Sequence, residues 1–379
     1  MRALKLVVAI LIVMSLSGIV AAQAPLPEIP GATIVATGLN GPQGVLVDPE
    51  GNVWAIDSGM GGDQTLQFTN PENGEEMTAT LGMSARIVKV AADGTQTEVA
   101  TLPSIFLPEM GEMFGGARLA LLDGVLYATS GGWNVPDADP PALFSAIVRV
   151  EGGQVTSIAD TWAFEKANNP DGIILDTHPY GLTAGPDGWL WVADAGANDL
   201  YRVNPETGEI VLVAVFDALP GVFPNPTRDG AMEADPVPTA VAFDDEGNAY
   251  VSLLSGAPFV PGSAKVLRVS ADGAVSDYAV GLTMPTDLVR GPDGELYAVQ
   301  FGLFTEEGPT PNSGTVLRIK EGGASEVVVS GLPFPTGISF DGAGNAYIAV
   351  NGVGAPGSGA VARFDQLTMM AGEPLPSPQ

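Results

Sequence analysis

One pattern recurs six times along the chain, and in every copy a tight Gly turn is followed three residues later by an aromatic: Trp54, Tyr127, Trp191, Tyr250, Tyr297 and Tyr347. A short run precedes each turn: Val45-Leu46-Val47, Arg118-Leu119-Ala120, Leu182-Thr183-Ala184, Val241-Ala242-Phe243, Leu288-Val289-Arg290 and Ile338-Ser339-Phe340. Short apolar runs on both sides of a Gly turn read as paired strands. A third run carries a basic residue just before its last apolar position, namely Lys89, Arg149, Arg202, Arg268, Arg318 and Arg363. A fourth, more variable strand closes each unit, as in Ile210 to Val215.

Four strands per unit, repeated every ~40 to 50 residues, define propeller blades. The expected fold is all-β: a six-bladed β-propeller of four-stranded antiparallel blades spanning residues 25–365. The last unit, Pro335 to Asp365, holds only three strands. Its fourth is expected from the other end of the chain, where Ala32-Thr33-Ile34-Val35-Ala36-Thr37-Gly38-Leu39 matches Val327-Val328-Val329-Ser330-Gly331-Leu332. Closing the ring this way pairs edges that an open stack would leave free.

Residues 1–24 place Arg2 and Lys5 before an apolar run from Leu6 to Val20 and then Ala22-Gln23-Ala24, the order of a secretory signal. The expected destination is outside the cytoplasm, secreted or in the periplasm and envelope, with no stable membrane insertion after cleavage. The chain has no Cys, so burial and strand pairing hold the ring without a disulfide. With 44 acidic against 15 basic residues and a formal charge of −29, it repels nucleic acid and anionic membranes. Residues 366–379 read as a Pro-rich disordered tail.

Turns between first and second strands are short, whereas connections from second to third strand and from blade to blade are long, for example residues 59–84, 101–115, 160–178 and 217–237. Both long kinds emerge on one side of an up-and-down disk, which marks that side as the working face. Residues that break the repeat there are the candidates. Arg118 interrupts a column of Val45, Leu182, Val241, Leu288 and Ile338, and Asp287 interrupts Gly44, Ala117, Gly181, Ala240 and Gly337. The two fall three blades apart and are expected to face each other across the channel. Beside them runs a polar ring of Gln43, Tyr180, Thr239, Thr286 and Thr336, expected to line a ligand funnel.

His178 is the one histidine and Cys is absent, so a zinc site with several His or Cys ligands cannot be assembled, and no Gly-x-Ser-x-Gly nucleophile elbow is present. It opens the third blade at the working face and is a candidate base or ligand. The turn carboxylates, as in Asp48-Pro49-Glu50-Gly51, read as hairpin chemistry rather than metal ligands. The route left to metal catalysis is an oxygen-only calcium site, with Asp57, Asp194 and Asp287 as its candidate ligands.

Gly38-Leu39-Asn40-Gly41-Pro42-Gln43-Gly44, His178-Pro179-Tyr180-Gly181-Leu182, Ala193-Asp194-Ala195-Gly196-Ala197-Asn198 and Gly331-Leu332-Pro333-Phe334-Pro335-Thr336-Gly337-Ile338 resemble NHL-like six-bladed propellers, and most of all the exported ScyD/ScyE type. That resemblance implies an exported propeller and carries over no reaction. Lactonases of the gluconolactonase type hold a divalent metal partly through an Asn in a Pro-Asn-Gly strand start, where this chain has Gln43, Tyr180, Thr239, Thr286 and Thr336. Streptogramin lyases share the Pro-Tyr-Gly start but use more than one His. The sequence therefore points first to a binding module without a catalytic constellation or cofactor, recognising a small polar ligand, a saccharide or an envelope protein. The alternative is a calcium-dependent hydrolase, lactonase or lyase with a metal in the central channel.

Overall fold

The computed structural model describes residues 28–71, 74–271, 273–305 and 308–376. The signal read from residues 1–24 lies outside them. Among the described residues, six sheets of four or more strands follow one another along the chain, beginning with Pro42–Val47, Gly116–Leu122, Pro179–Ala184, Pro238–Phe243, Pro285–Arg290 and Gly337–Phe340. We number these blades 1 to 6. Each first strand touches the first strand of the next blade, and the sixth touches the first, so the inner strands form a closed ring.

Glycine in the inner column explains how tightly that ring closes. A Cβ at Gly44 would stand 2.6 Å from the Ala117 carbonyl oxygen, and one at Gly337 would stand 2.8 Å from that of Gln43. At these two positions the missing side chain lets neighbouring inner strands approach this far.

The two sequence columns are partners. In every blade the repeat aromatic lies directly opposite the basic residue of the third strand: Trp54 with Lys89, Tyr127 with Arg149, Trp191 with Arg202, Tyr250 with Arg268, Tyr297 with Arg318 and Tyr347 with Arg363. Such cross-strand pairs are the unit of sheet stabilisation. Lys89 sits 4.9 Å from the Trp54 ring centre, within cation–π range. The turn carboxylates complete the unit: Asp48 accepts from the Trp54 indole at 2.8 Å, Asp187 from Trp191 at 3.0 Å, Asp244 from the Tyr250 hydroxyl at 3.0 Å and Asp293 from Tyr297 at 2.8 Å.

Blade 6 takes its outer strand from the N-terminus. Ala32–Leu39 runs antiparallel to Gly359–Phe364, from Ala32 opposite Phe364 to Leu39 opposite Gly359. The long connections carry structure of their own. Gln64–Thr69 pairs with the extended strand Glu76–Val90, Leu219–Asn225 pairs with Ala231–Ala234, and a helix, Thr161–Asn168, starts where Asp160 accepts from the Ala163 amide at 2.8 Å. Trp133, Phe144 and Trp162 fill a hydrophobic cluster beneath these connections.

Residues 366–376, read from their prolines as a disordered tail, are corrected by the structure. Arg318 donates to the carbonyls of Thr368 and Met370, both at 3.1 Å, and Glu373–Pro374 adds a short strand to blade 5. Leu367 is buried in the blade 5–6 core, which anchors the segment despite its composition.

Candidate functional site

Arg118 and Asp287 meet on the channel axis. The Arg118 Nε lies 3.4 Å from Asp287 Oδ1, and both side chains are almost wholly buried. Nη1 donates to the carbonyls of Gln43 and Ala117, and Nη2 to those of Thr286 and, at 2.9 Å, Thr336. The guanidinium lies 4.5 Å from the Tyr180 ring centre. Burial would lower its affinity for the proton, but Asp287 and Tyr180 outweigh burial and keep it charged. Asp287 also accepts from the amides of Leu288 at 3.0 Å and Ile338 at 2.9 Å. Five blades are thereby tied to one cation.

The threonines of the polar ring do not line a funnel, which corrects the sequence expectation. Thr239 donates to the Pro285 carbonyl at 2.8 Å and Thr336 to that of Pro42 at 2.7 Å, while Thr286 lies 3.4 Å from the Pro335 carbonyl. Each hydroxyl joins one inner strand to the proline that starts the next. They are buried seams of the ring, already satisfied by protein oxygen.

Gln43, Tyr180 and His178 do come together, at a cleft on the working face that also includes Ser58, Met113 and the backbone of Gly115 to Ala117. The Tyr180 hydroxyl donates to Gln43 Oε1 at 2.9 Å, and Gln43 Nε2 donates to the Gly352 carbonyl at 3.0 Å. His178 packs between Phe114 and the edge of Tyr180, with ring centres 5.7 and 5.6 Å away. Its imidazole pKa is pushed down to about 4 by burial, so the ring is neutral at physiological pH. Among the described residues neither ring nitrogen is held in a hydrogen bond. Gly132 makes room for it, since a Cβ there would stand 2.8 Å from His178 Cγ. Gly132, Met113 and Ser58 were not legible as site residues, because nothing in the blade repeat marks them.

The calcium set of Asp57, Asp194 and Asp287 does not assemble, and the expectation is corrected. Asp57 accepts from the amides of Asn40 at 3.0 Å and Arg86 at 2.8 Å and is paired with the Arg86 guanidinium at 2.7 Å. Asp194 accepts from Thr177 and the His178 amide, both at 2.6 Å, and from Gly196 and Ala197. Each acid at the end of a second strand fastens its own blade's loops instead of turning to the axis. Among the described residues no three His, Cys, Asp or Glu side chains are grouped to hold a metal ion.

Another acidic feature escaped the sequence. Glu165, on the helix, and Asp199 are buried near Asp194, and neither carboxyl oxygen of Asp199 has a hydrogen-bond partner. Burial first, then the charges of Asp194 and Asp171, push Glu165 up to about 8, and burial with Asp194, Glu165 and Asp171 drives Asp199 well above its usual range. One signal was available: Asp199 stands directly opposite Asp194 across a short hairpin.

No family model matches the chain. A gluconolactonase from Zymomonas mobilis is 26% identical over 196 residues, which are 48% of this chain and 52% of that protein. The chain thus matches about half the length of this curated relative. Regucalcin from Agrobacterium tumefaciens, described as a calcium-binding protein, superposes with a TM-score of 0.50 over 94% of this chain and 99% of its own at 14% identity. Virginiamycin B lyase from Staphylococcus aureus superposes over 86% of this chain and 95% of its own, with a TM-score of 0.45 and 18% identity. The regucalcin superposition shows the class of fold, an all-β propeller, and the gluconolactonase is a relative over about half of the chain. They lend no support to the narrower ScyD/ScyE resemblance. The expectation that such a chain takes no cofactor is overturned by the calcium-binding neighbour.

Proposed function

We propose that the protein is a lactonase- or lyase-type propeller enzyme that cleaves a ring ester of a small polar substrate at the His178 cleft. The observation that carries this reading is the neutral imidazole with both nitrogens unengaged, set beside Tyr180 and Gln43 at the mouth of the channel. The partial match to a gluconolactonase supports an enzyme over a purely binding module. In the lactonase form, His178 takes a proton from the attacking water while the new C–O bond forms at the carbonyl. The ring C–O bond then breaks, and its oxygen receives that proton and leaves as an alcohol. Arg118 holds Tyr180 in place from below, and Tyr180 in turn fixes Gln43.

Calcium belongs in the assay because a propeller of this fold binds it. The residues on the axis do not supply its ligands, since the Arg118 guanidinium engages the oxygens that converge there.

The test is turnover of an aldonolactone and cyclic-ester panel by the full chain, with calcium and with chelator, alongside His178→Gln. We expect wild type to open at least one lactone, with a rate that falls only as pH drops through about 4, where the imidazole charges. His178→Gln should stay folded and lose about 100-fold or more in kcat. No turnover across the panel in either condition, or a His178→Gln variant as fast as wild type, would sink the proposal.

A further inference from the structure

The oxygens gathered on the channel axis are of the kind a hard cation takes, and a side chain stands among them. Carbonyl oxygens of Gln43, Thr286 and Thr336 come from one equivalent slot in blades 1, 5 and 6. The carbonyl of Ala117 at 3.1 Å and the carboxylate of Asp287 complete the set. Neutral carbonyls with one carboxylate form an oxygen shell typical of calcium sites. Every other blade fills the Arg118 position with Val, Leu or Ile, so the positive charge is a single departure from the repeat.

We infer that the channel axis is a divalent-cation site in which the Arg118 guanidinium takes the ion's place. The charge that balances Asp287 and orients the three equivalent carbonyls is thus part of the chain. It cannot be removed by chelation or diluted away. Removing it should leave a buried carboxylate facing carbonyl dipoles, an arrangement that is costly until a cation enters. This inference concerns the axis and does not rest on the chemistry assigned to the His178 cleft.

The experiment compares wild type, Arg118→Ala and the Arg118→Ala/Asp287→Asn pair in the full chain, using terbium as the calcium analogue. Tyr180, which packs against the guanidinium, serves as the sensitiser. Arg118→Ala should gain tyrosine-sensitised terbium emission that calcium displaces, and its melting temperature should rise by a few degrees in millimolar calcium. The double variant should lose both responses, and wild type should lack the added emission. An Arg118→Ala protein that shows neither response, folded or not, overturns the inference. So does equal calcium-displaced emission from wild type, or emission that persists in the double variant. Lactonase assays on wild type are unaffected by any of these results, so the two proposals fail separately.

Discussion

Glu165 and His178 are both buried, and burial drives their protons in opposite directions. Glu165 titrates near 8 in the fold against 4.5 in the open chain, so between those values the fold binds the extra proton. Its contribution is complete below 4.5 and is lost as pH rises toward 8, at up to ~1.4 kcal/mol per pH unit. His178 titrates near 4 against 6.5, so its contribution is complete above 6.5 and is lost as pH falls toward 4. The slopes of Glu165 and His178 oppose one another between 4.5 and 6.5, and above 6.5 the loss at Glu165 stands unopposed by His178 and in the same direction as that of the raised Asp199 carboxyl. Denaturant melts between pH 6.5 and 8 should show that loss in wild type and a flatter line in Glu165→Gln; equal slopes would contradict the assignment. Neither behaviour could be read from sequence, because Glu165 reaches the cluster on a helix inside a connection that has no repeat to place it. Arg118 and Asp287 were legible for the opposite reason: each interrupts a column whose spacing fixes its direction, so their meeting across the ring follows from register alone.

The hairpin turn is the element that the sequence specifies most fully. In blade 4, Asp244 accepts from the Asn248 amide at 2.8 Å, the Asn248 side chain at 2.7 Å and the Tyr250 hydroxyl at 3.0 Å. Burial raises its pKa, but these bonds prevail and hold it below 3.8. The stability it contributes is present above 3.8 and is lost as pH falls through the lower folded value. Asp244→Ala should cost roughly 1 to 3 kcal/mol at neutral pH and remove that acid-side loss. Thermal melts at pH 7 and pH 3 check both parts, and an unchanged melt at pH 7 would count against the role of the turn. The connections were far less legible. Gln64–Thr69, a short alternation flanked by Gly62 and Pro71, and Leu219–Asn225, interrupted by Pro220, Gly221 and Pro224, read as loops, yet each finds a partner strand. The tail misled for a related reason, since proline content says nothing of the Arg318 donors waiting on blade 5.

The whole molecule depends on one long-range pairing. Ala36 and Leu39 are buried in the seam between blades 6 and 1, so the N-terminal strand supplies core as well as hydrogen bonds. A chain lacking residues 32–39 should lose its single cooperative melt and expose the edge of Gly359–Phe364, with self-association visible by size-exclusion chromatography. Adding a peptide of residues 28–41 in trans should restore a monomer with one transition; a cooperative monomer without the peptide would show that closure is dispensable. The ring was predictable because the first strand copies the sequence that precedes blade 6. Its consequence lies in time rather than space. Ala32–Leu39 leaves the ribosome before the other strands of the ring and Gly359–Phe364 after them, so the ring cannot close until the last strand of blade 6 has been made.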